Sequence, residues 1–207
     1  MIDIEANKLK FISLLREIDR PNSDIEGLIS HLLETDFFVA PCSTKFHLAE
    51  DGGLCQHSLN VYEEFNKLCD IYAPNTSKSS RIVLPTCHDL SKEDYYDAYF
   101  KNVKDYVQDG KFSDERGRFN WKSEKSYSIK DAEERFLLGH HGHNSEYIVS
   151  SYIPLSVEES AAIINHMGGV MDEYKPWDAT PIYNRFPLAA LLHMADFIAT
   201  YLVENKK

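Results

Sequence analysis

Apolar residues recur at helical spacing through the first part of this chain. Leu9, Ile12, Leu15 and Ile18 predict a helix over 6–18, which Pro21 stops. Asn22-Ser23-Asp24 offers an N-cap to a second amphipathic helix built on Ile25, Leu28, Ile29 and Leu32. The periodicity lapses over 36–53, a loop holding Phe37, Phe38 and Pro41 and closing on Gly52-Gly53. It resumes over about 54–72, where Leu54, His57, Val61, Phe65, Leu68 and Tyr72 share one stripe, so a histidine points where the core residues point. Ser79-Ser80 is the expected cap of a fourth helix, whose apolar run Ile82, Val83, Leu84 ends in Thr86-Cys87-His88-Asp89-Leu90-Ser91-Lys92. Pro85 removes one backbone hydrogen bond from that helix and bends it just before His88.

Residues 93–130 differ in character, being rich in Tyr, Lys and Asp, with Gly110 and Gly117 as punctuation. A helix is expected over about 94–107, then a loop or short hairpin in which Phe119, Trp121, Tyr127 and Ile129 alternate. The segment reads either as surface decoration or as a lid over a site, with Tyr95, Tyr96, Tyr99, Lys101 and Lys104 placed to stack on a base and meet phosphate. Asp131 opens a short helix ending at Leu138-Gly139, and His140, His141 and His143 crowd the turn. Ser156-Val157-Glu158-Glu159 is a capping box ahead of Ala161, Ala162, Ile163 and Ile164, so a helix runs to His166-Met167 and stops at Gly168-Gly169. Residues 170–185, with Tyr174, Trp177 and Tyr183, read as loop. Pro187 suits the first turn of a last helix with the stripe Leu188, Leu191, Leu192, Ala195, Ile198 and Leu202. With no convincing strand outside the insertion, the expected fold class is all-α: one domain, 1–207, a helical bundle with a mixed insertion after the His-Asp pair.

Composition narrows the partners. At 207 residues one domain suffices to bury a core. Lys+Arg 22 against Asp+Glu 33, a net charge of -11, argues against an extended nucleic acid or an anionic membrane, which are held by phosphate-neutralising cations. A small phosphorylated ligand held at a metal stays compatible with that charge. Cys42, Cys55, Cys69 and Cys87 form no C-x-x-C pair and lie in or beside apolar segments, as free thiols do in a reducing compartment. The N-terminus lacks the basic start and apolar stretch of a signal peptide, and His193 and Asp196 interrupt the apolar segment 186–203, which therefore reads as a buried helix. A soluble, cytoplasmic protein is expected.

The chemistry concentrates at His88-Asp89. Burying an imidazole beside a carboxylate costs several kcal/mol unless something compensates, and a divalent metal uses both groups as they stand. Three further segments set ligand-type side chains on apolar backgrounds: Gly53-Leu54-Cys55-Gln56-His57-Ser58-Leu59, Leu138-Gly139-His140-His141-Gly142-His143 and Leu191-Leu192-His193-Met194-Ala195-Asp196. Asp196 lies a turn from Leu192 and Ala199, and a buried acid there must be a ligand or an ion-pair member. Helices that each deliver a His or Asp inward build a metal site within a bundle.

The order His57, His88-Asp89, Asp196 resembles the signature of the HD-domain metal-dependent phosphohydrolase superfamily. Gly53-Leu54-Cys55-Gln56-His57-Ser58 is similar to that family's "GGLxxHS", His88-Asp89-Leu90-Ser91-Lys92 to its "HDxxK", and Leu192-His193-Met194-Ala195-Asp196 to its "LHxAD". The resemblance implies that His57, His88, Asp89 and Asp196 hold one divalent ion. His141 and His166 match the extra histidines of the family's two-metal branch, in which Asp89 would bridge both ions, and His140 is an alternative to His141. Lys92 matches the amine that contacts substrate phosphate, so Lys92 and Asp89 carry the expected catalytic roles. Two departures stand out: Pro85 replaces the usual Ala or Leu, and the 93–130 insertion is long.

His and carboxylate ligands admit Mn, Fe, Co, Ni, Zn or Mg. The expected activity is hydrolysis of a small phosphorylated substrate, a nucleotide foremost, by metal-activated water, with Lys92, Tyr99, Lys101 and Lys104 contacting the substrate. Two other readings compete: a nucleotide-sensing module without turnover, and a di-iron oxygenase on the same fold.

Overall fold

In the computed structural model, which describes residues 2–137, 139–168 and 180–204, the first two helices begin where an aspartate caps them. Asp3 accepts from the Ala6 N–H ahead of α1 (Ile4–Arg16), and Asp24 from the Gly27 N–H ahead of α2 (Ile25–Glu34). Phe11, Leu14 and Leu15 of α1 and Leu28, Ile29 and Leu32 of α2 join Phe37 and Phe38 in the core. The long helix α3 (Gly53–Tyr72) is the central element, packed against α1, α4 (Lys78–Cys87) and α8 (Pro187–Ile198). Its stripe Leu54, His57, Val61, Phe65 and Leu68 is buried, while Tyr72 at its end is exposed. Ser77, not Ser79 or Ser80, caps α4: its Oγ accepts from the Ser80 N–H, and Ser79 turns inward to the Asp19 backbone.

The remaining helices are α5 (His141–Ser150), α6 (Val157–Ile164) and α7 (Thr180–Arg185). The capping box at Ser156 and Glu159 forms as expected, but α6 ends at Ile164 and not at His166. Residues 180–185, expected as loop, are helical. Tyr174 and Trp177 lie outside the described residues, as do Leu138 and Gly169, where two helices were expected to stop. Of the short helix expected after Asp131, a single 3-10 turn forms, Ala132–Glu134. No described helix is long and apolar enough to cross a membrane.

The expectation of an all-α fold is overturned by residues 96–129. They form a three-stranded antiparallel sheet of β1 (Tyr96–Tyr106), β2 (Phe112–Asp114) and β3 (Gly117–Ile129), in the order β1-β3-β2, so the protein is mixed α and β. The helix expected over 94–107 is instead β1, which pairs along its whole length from Tyr96 opposite Ile129 to Tyr106 opposite Phe119. Tyr96, Tyr99, Phe100, Val103 and Tyr106 favour a pleated strand, where their bulk at Cβ costs little rotamer freedom. The strand was hard to read because nearly all of β1 is exposed, which erases the alternation of a half-buried strand. On β3, Phe119 and Tyr127 are buried while Trp121 and Ile129 are exposed.

One ion pair ties the N-terminal helices to α6. Arg20 donates from both guanidinium nitrogens to Glu159, at 2.6 and 3.0 Å, and also to the Pro154 carbonyl. Burial alone would push the Glu159 carboxyl up; Arg20 and the Ser156 N–H outweigh it and hold the group below the usual glutamate range. A carboxyl depressed on folding contributes stability that is complete above its unfolded pKa and is lost as the pH falls through the folded one. Glu159→Gln is therefore expected to cost about 2 kcal/mol at pH 7. Urea melts of the two proteins should converge as the pH drops below about 4.

Candidate metal centre

The site is assembled from five helices, and its first member depends on two glycines. Gly52 takes φ +80, a left-handed conformation that glycine adopts freely, and starts α3. At Gly53 a Cβ would stand 2.1 Å from the Leu48 carbonyl oxygen and 2.9 Å from the Cys42 nitrogen. Only a glycine lets the 42–48 loop lie against the helix start, and one turn later α3 delivers His57. His88 is the C-cap of α4, Asp89 follows it, and Lys92 ends the 3-10 turn Leu90–Lys92. His141 opens α5, His166 lies two residues past α6, and Asp196 sits on α8. A serine link sets α5 against the 3-10 turn: Ser91 Oγ donates to the His141 carbonyl at 2.9 Å, and Ser145 Oγ to Ser91 Oγ at 3.0 Å.

These side chains converge on the carboxylate of Asp89. Lys92 Nζ lies 2.7 Å from Asp89 Oδ2, with His88 Nε2 at 3.4 Å and His57 Nε2 at 3.7 Å from the same oxygen. The other oxygen, Oδ1, has His166 Nε2 at 3.5 Å and His141 Nε2 at 3.8 Å. Asp196 Oδ1 approaches His57 Nε2 at 3.2 Å. Two groups of three, His57-His88-Asp196 and His88-Asp89-His166, each bring their donor atoms within 4.8 Å of one another, so each can hold a metal ion. All six histidines and aspartates expected as ligands, with Lys92, thus stand in one place.

The outer nitrogens show which ring atom faces inward. His88 Nδ1 meets the Pro85 carbonyl at 2.8 Å and His166 Nδ1 the Ile163 carbonyl at 2.7 Å. A carbonyl only accepts, so both rings carry a proton on Nδ1 and, when neutral, present an Nε2 lone pair to the cluster. Pro85 therefore contributes its carbonyl to orienting His88. His57 Nδ1 lies 3.0 Å from Glu204 Oε1, a carboxylate that also accepts from Asn60. Glu204 follows a π-helical turn, Ala199–Val203, that prolongs α8, and its N–H donates to the Ala199 carbonyl. Carboxylates and carbonyls behind metal-binding histidines fix ring orientation and raise ligand basicity.

Charge supports the same use. Three carboxylates, Asp89, Asp196 and Glu204, face one ammonium, Lys92, leaving a negative balance that only a proton or a cation can offset. Burial pushes the Asp89 carboxyl up, but Lys92 and His88 outweigh it and hold the group well below its usual range. Asp196 is likewise lowered against burial, by His57. Burial would lower the His57 and His166 imidazoles, yet the anions around them raise both. Burial drives His88 down, and burial together with His166 takes His141 to about 3. The His88 Nε2 and Asp89 Oδ1 atoms are buried without a hydrogen-bond partner. Unpaired lone pairs of this kind at the centre of an anionic cluster fit a divalent cation.

The expected substrate contacts on the insertion are not brought together with this cluster. Tyr99, Lys101 and Lys104 ride outward on β1, where Lys104 Nζ pairs with Asp114 and sits over the Phe119 ring, and Lys101 faces Glu124. At about 3.3 Å per residue, Lys104 lies roughly 26 Å along the strand from Tyr96. Tyr96 is the sheet residue at the site, its hydroxyl donating to the Cys42 carbonyl at 3.1 Å. Sequence reasoning passed over Glu204, and it passed over Cys42 and His47 as partners of His57. Cys42 is buried; against the burial that would raise its thiol, His57, Lys92 and a hydrogen bond with His47 bring it to about 7. His47, the single histidine of the 36–53 loop, was the available signal. Compared with family models, with curated proteins and with solved structures, the chain gives no match.

Proposed function

We propose that this protein is a metal-dependent phosphohydrolase with an HD-type site, acting on a small phosphorylated substrate, with nucleotides the first class to test. The observation that carries the reading is the single carboxylate of Asp89 set between two histidine groups and touched by Lys92. His57, His88, Asp89 and Asp196 would hold one divalent ion, and Asp89, His141 and His166 a second. Ions held there supply an activated water near neutral pH and neutralise phosphoryl oxygens. Lys92 would place its ammonium on a non-bridging phosphoryl oxygen, where a fixed charge is worth most in a water-poor pocket. An ammonium 2.7 Å from the ligand carboxylate Asp89 favours an anionic, phosphorylated substrate over dioxygen. Tyr96 would close the side nearest Lys92, and Mn, Fe, Co, Ni, Zn and Mg all remain compatible with the donors.

The test is elemental analysis of the purified protein followed by a panel of mononucleotides and cyclic and linear dinucleotides with Mn, Co, Ni and Mg. Hydrolysis of at least one small nucleotide is expected, abolished by chelation and restored by the metal. Absence of any metal-dependent phosphate release across the panel, or cleavage confined to long single strands, would overturn the proposal.

A further inference from the structure

A third group of donor atoms stands beside the carboxylate cluster. Cys42 Sγ lies 3.3 Å from His47 Nε2, and Cys42, His47 and His57 bring one ligand atom each within 4.8 Å of one another. Around a tetrahedral zinc the sulfur and nitrogen ligands are about 3.5 Å apart, so small side-chain movements complete the arrangement. The loop carrying the first two donors is already shaped. Cys42 N–H donates to the Leu48 carbonyl at 3.1 Å, Ser43 Oγ donates to the His47 carbonyl at 2.8 Å, and Leu48 takes φ +46. A non-glycine residue held in that conformation costs of order 1 kcal/mol or more, and such positions cluster at functional sites. Among the described residues, the other three cysteines enter no group of this kind.

We propose that Cys42, His47 and His57 form a separate cation position of soft-donor character, selective for thiophilic ions such as Zn2+ or Cd2+ over Mn2+ and Mg2+. A thiolate with two imidazoles suits the former, whereas the mixed imidazole and carboxylate cluster also accepts the latter. Because His57 belongs to both sets, the two occupancies compete. A thiophilic ion on Cys42 and His47 draws His57 away from Asp196 and Asp89, making this position an inhibitory one. The proposal goes beyond the hydrolase reading, since it assigns a binding site whose occupancy is measured without turnover.

Cobalt titration of the full chain tests it, because a thiolate ligand adds a near-ultraviolet sulfur-to-cobalt charge-transfer band to the visible bands of the ion. The wild-type protein is expected to develop that band, to lose it on adding Cd2+ and to keep it in Asp89→Asn. Cys42→Ser should abolish it, and His47→Ala should weaken cobalt binding at this position at least about 10-fold, as loss of one ligand requires. Visible bands that saturate in the wild type with no charge-transfer band would overturn the proposal, as would a band unaltered in His47→Ala. A charge-transfer band with no hydrolysis of any nucleotide would refute the hydrolase reading alone, and hydrolysis with no band would refute this site alone.

Discussion

Asp89→Ala is expected to remove bound Mn2+ and turnover together. The carboxylate lies within 4 Å of four imidazoles and the Lys92 ammonium, so its loss deprives the two proposed hydrolase ion positions of their common ligand. The substitution also leaves Lys92, which is partly buried, without its counter-charge, which lowers stability. Asp89→Asn preserves the shape while removing the charge, and separates ligand loss from misfolding. Elemental analysis of both variants after loading with Mn2+, with circular dichroism to verify folding, should show manganese below about a tenth of the wild-type content. Full manganese content in folded Asp89→Asn would contradict the assignment of this residue as a ligand.

Lys92→Ala is expected to behave in the opposite sense toward metal. The ammonium donates to Asp89 Oδ2 at 2.7 Å, and that partner outweighs the burial that lowers it, raising it well above the usual lysine range. Without it the pocket is more anionic, so divalent ions should bind at least as tightly. The metal-free variant should be less stable, because Asp89 keeps only the surrounding imidazoles to offset its burial. Added metal then restores more stability than it adds to the wild type, which a pair of thermal melts with and without Mn2+ measures. Turnover should fall by about 10²–10³-fold at full metal content, the usual loss for one fixed electrostatic contact in a transition state. Lys92→Arg should recover little of it, since a planar guanidinium does not replace a point charge in so confined a place.

The parts of this site that lie on strong helical stripes could be read from sequence. His57 shares its face with Leu54, Val61 and Phe65, and the buried run before His88 leaves few environments for an adjacent imidazole and carboxylate. The serine link between Ser91 and Ser145 could not be read, because it joins residues 54 apart in the chain through side chains common on any surface. Cys42 and His47 escaped notice because a loop has no periodicity to show which residues face inward. The sheet was misread for a related reason: periodicity reports burial on one side, and β1 is exposed almost throughout. The chain instead anchors that sheet by its base. Tyr96 bonds the Cys42 carbonyl, Lys125 and Tyr127 bond Asp51, and Asp36 and Asp94 exchange backbone-to-carboxylate bonds.

The π-helical turn before Glu204 sets an angular phase. In an uninterrupted α-helix, residues eight apart differ by roughly 80° around the axis, which would swing Glu204 off the side of the helix that carries Asp196. The one extra residue accommodated in Ala199–Val203 brings the offset to about 20°, and the two carboxylates then address opposite nitrogens of the same imidazole, Asp196 at Nε2 and Glu204 at Nδ1. The π geometry of that turn thus sets the phase of Glu204 apart from the identity of its residues. Regularising that turn into an α-helix without removing a residue would rotate Glu204 by about 100° and release the far side of His57, whereas deleting one of the five would leave the carboxylate seven residues from Asp196 and near its present phase.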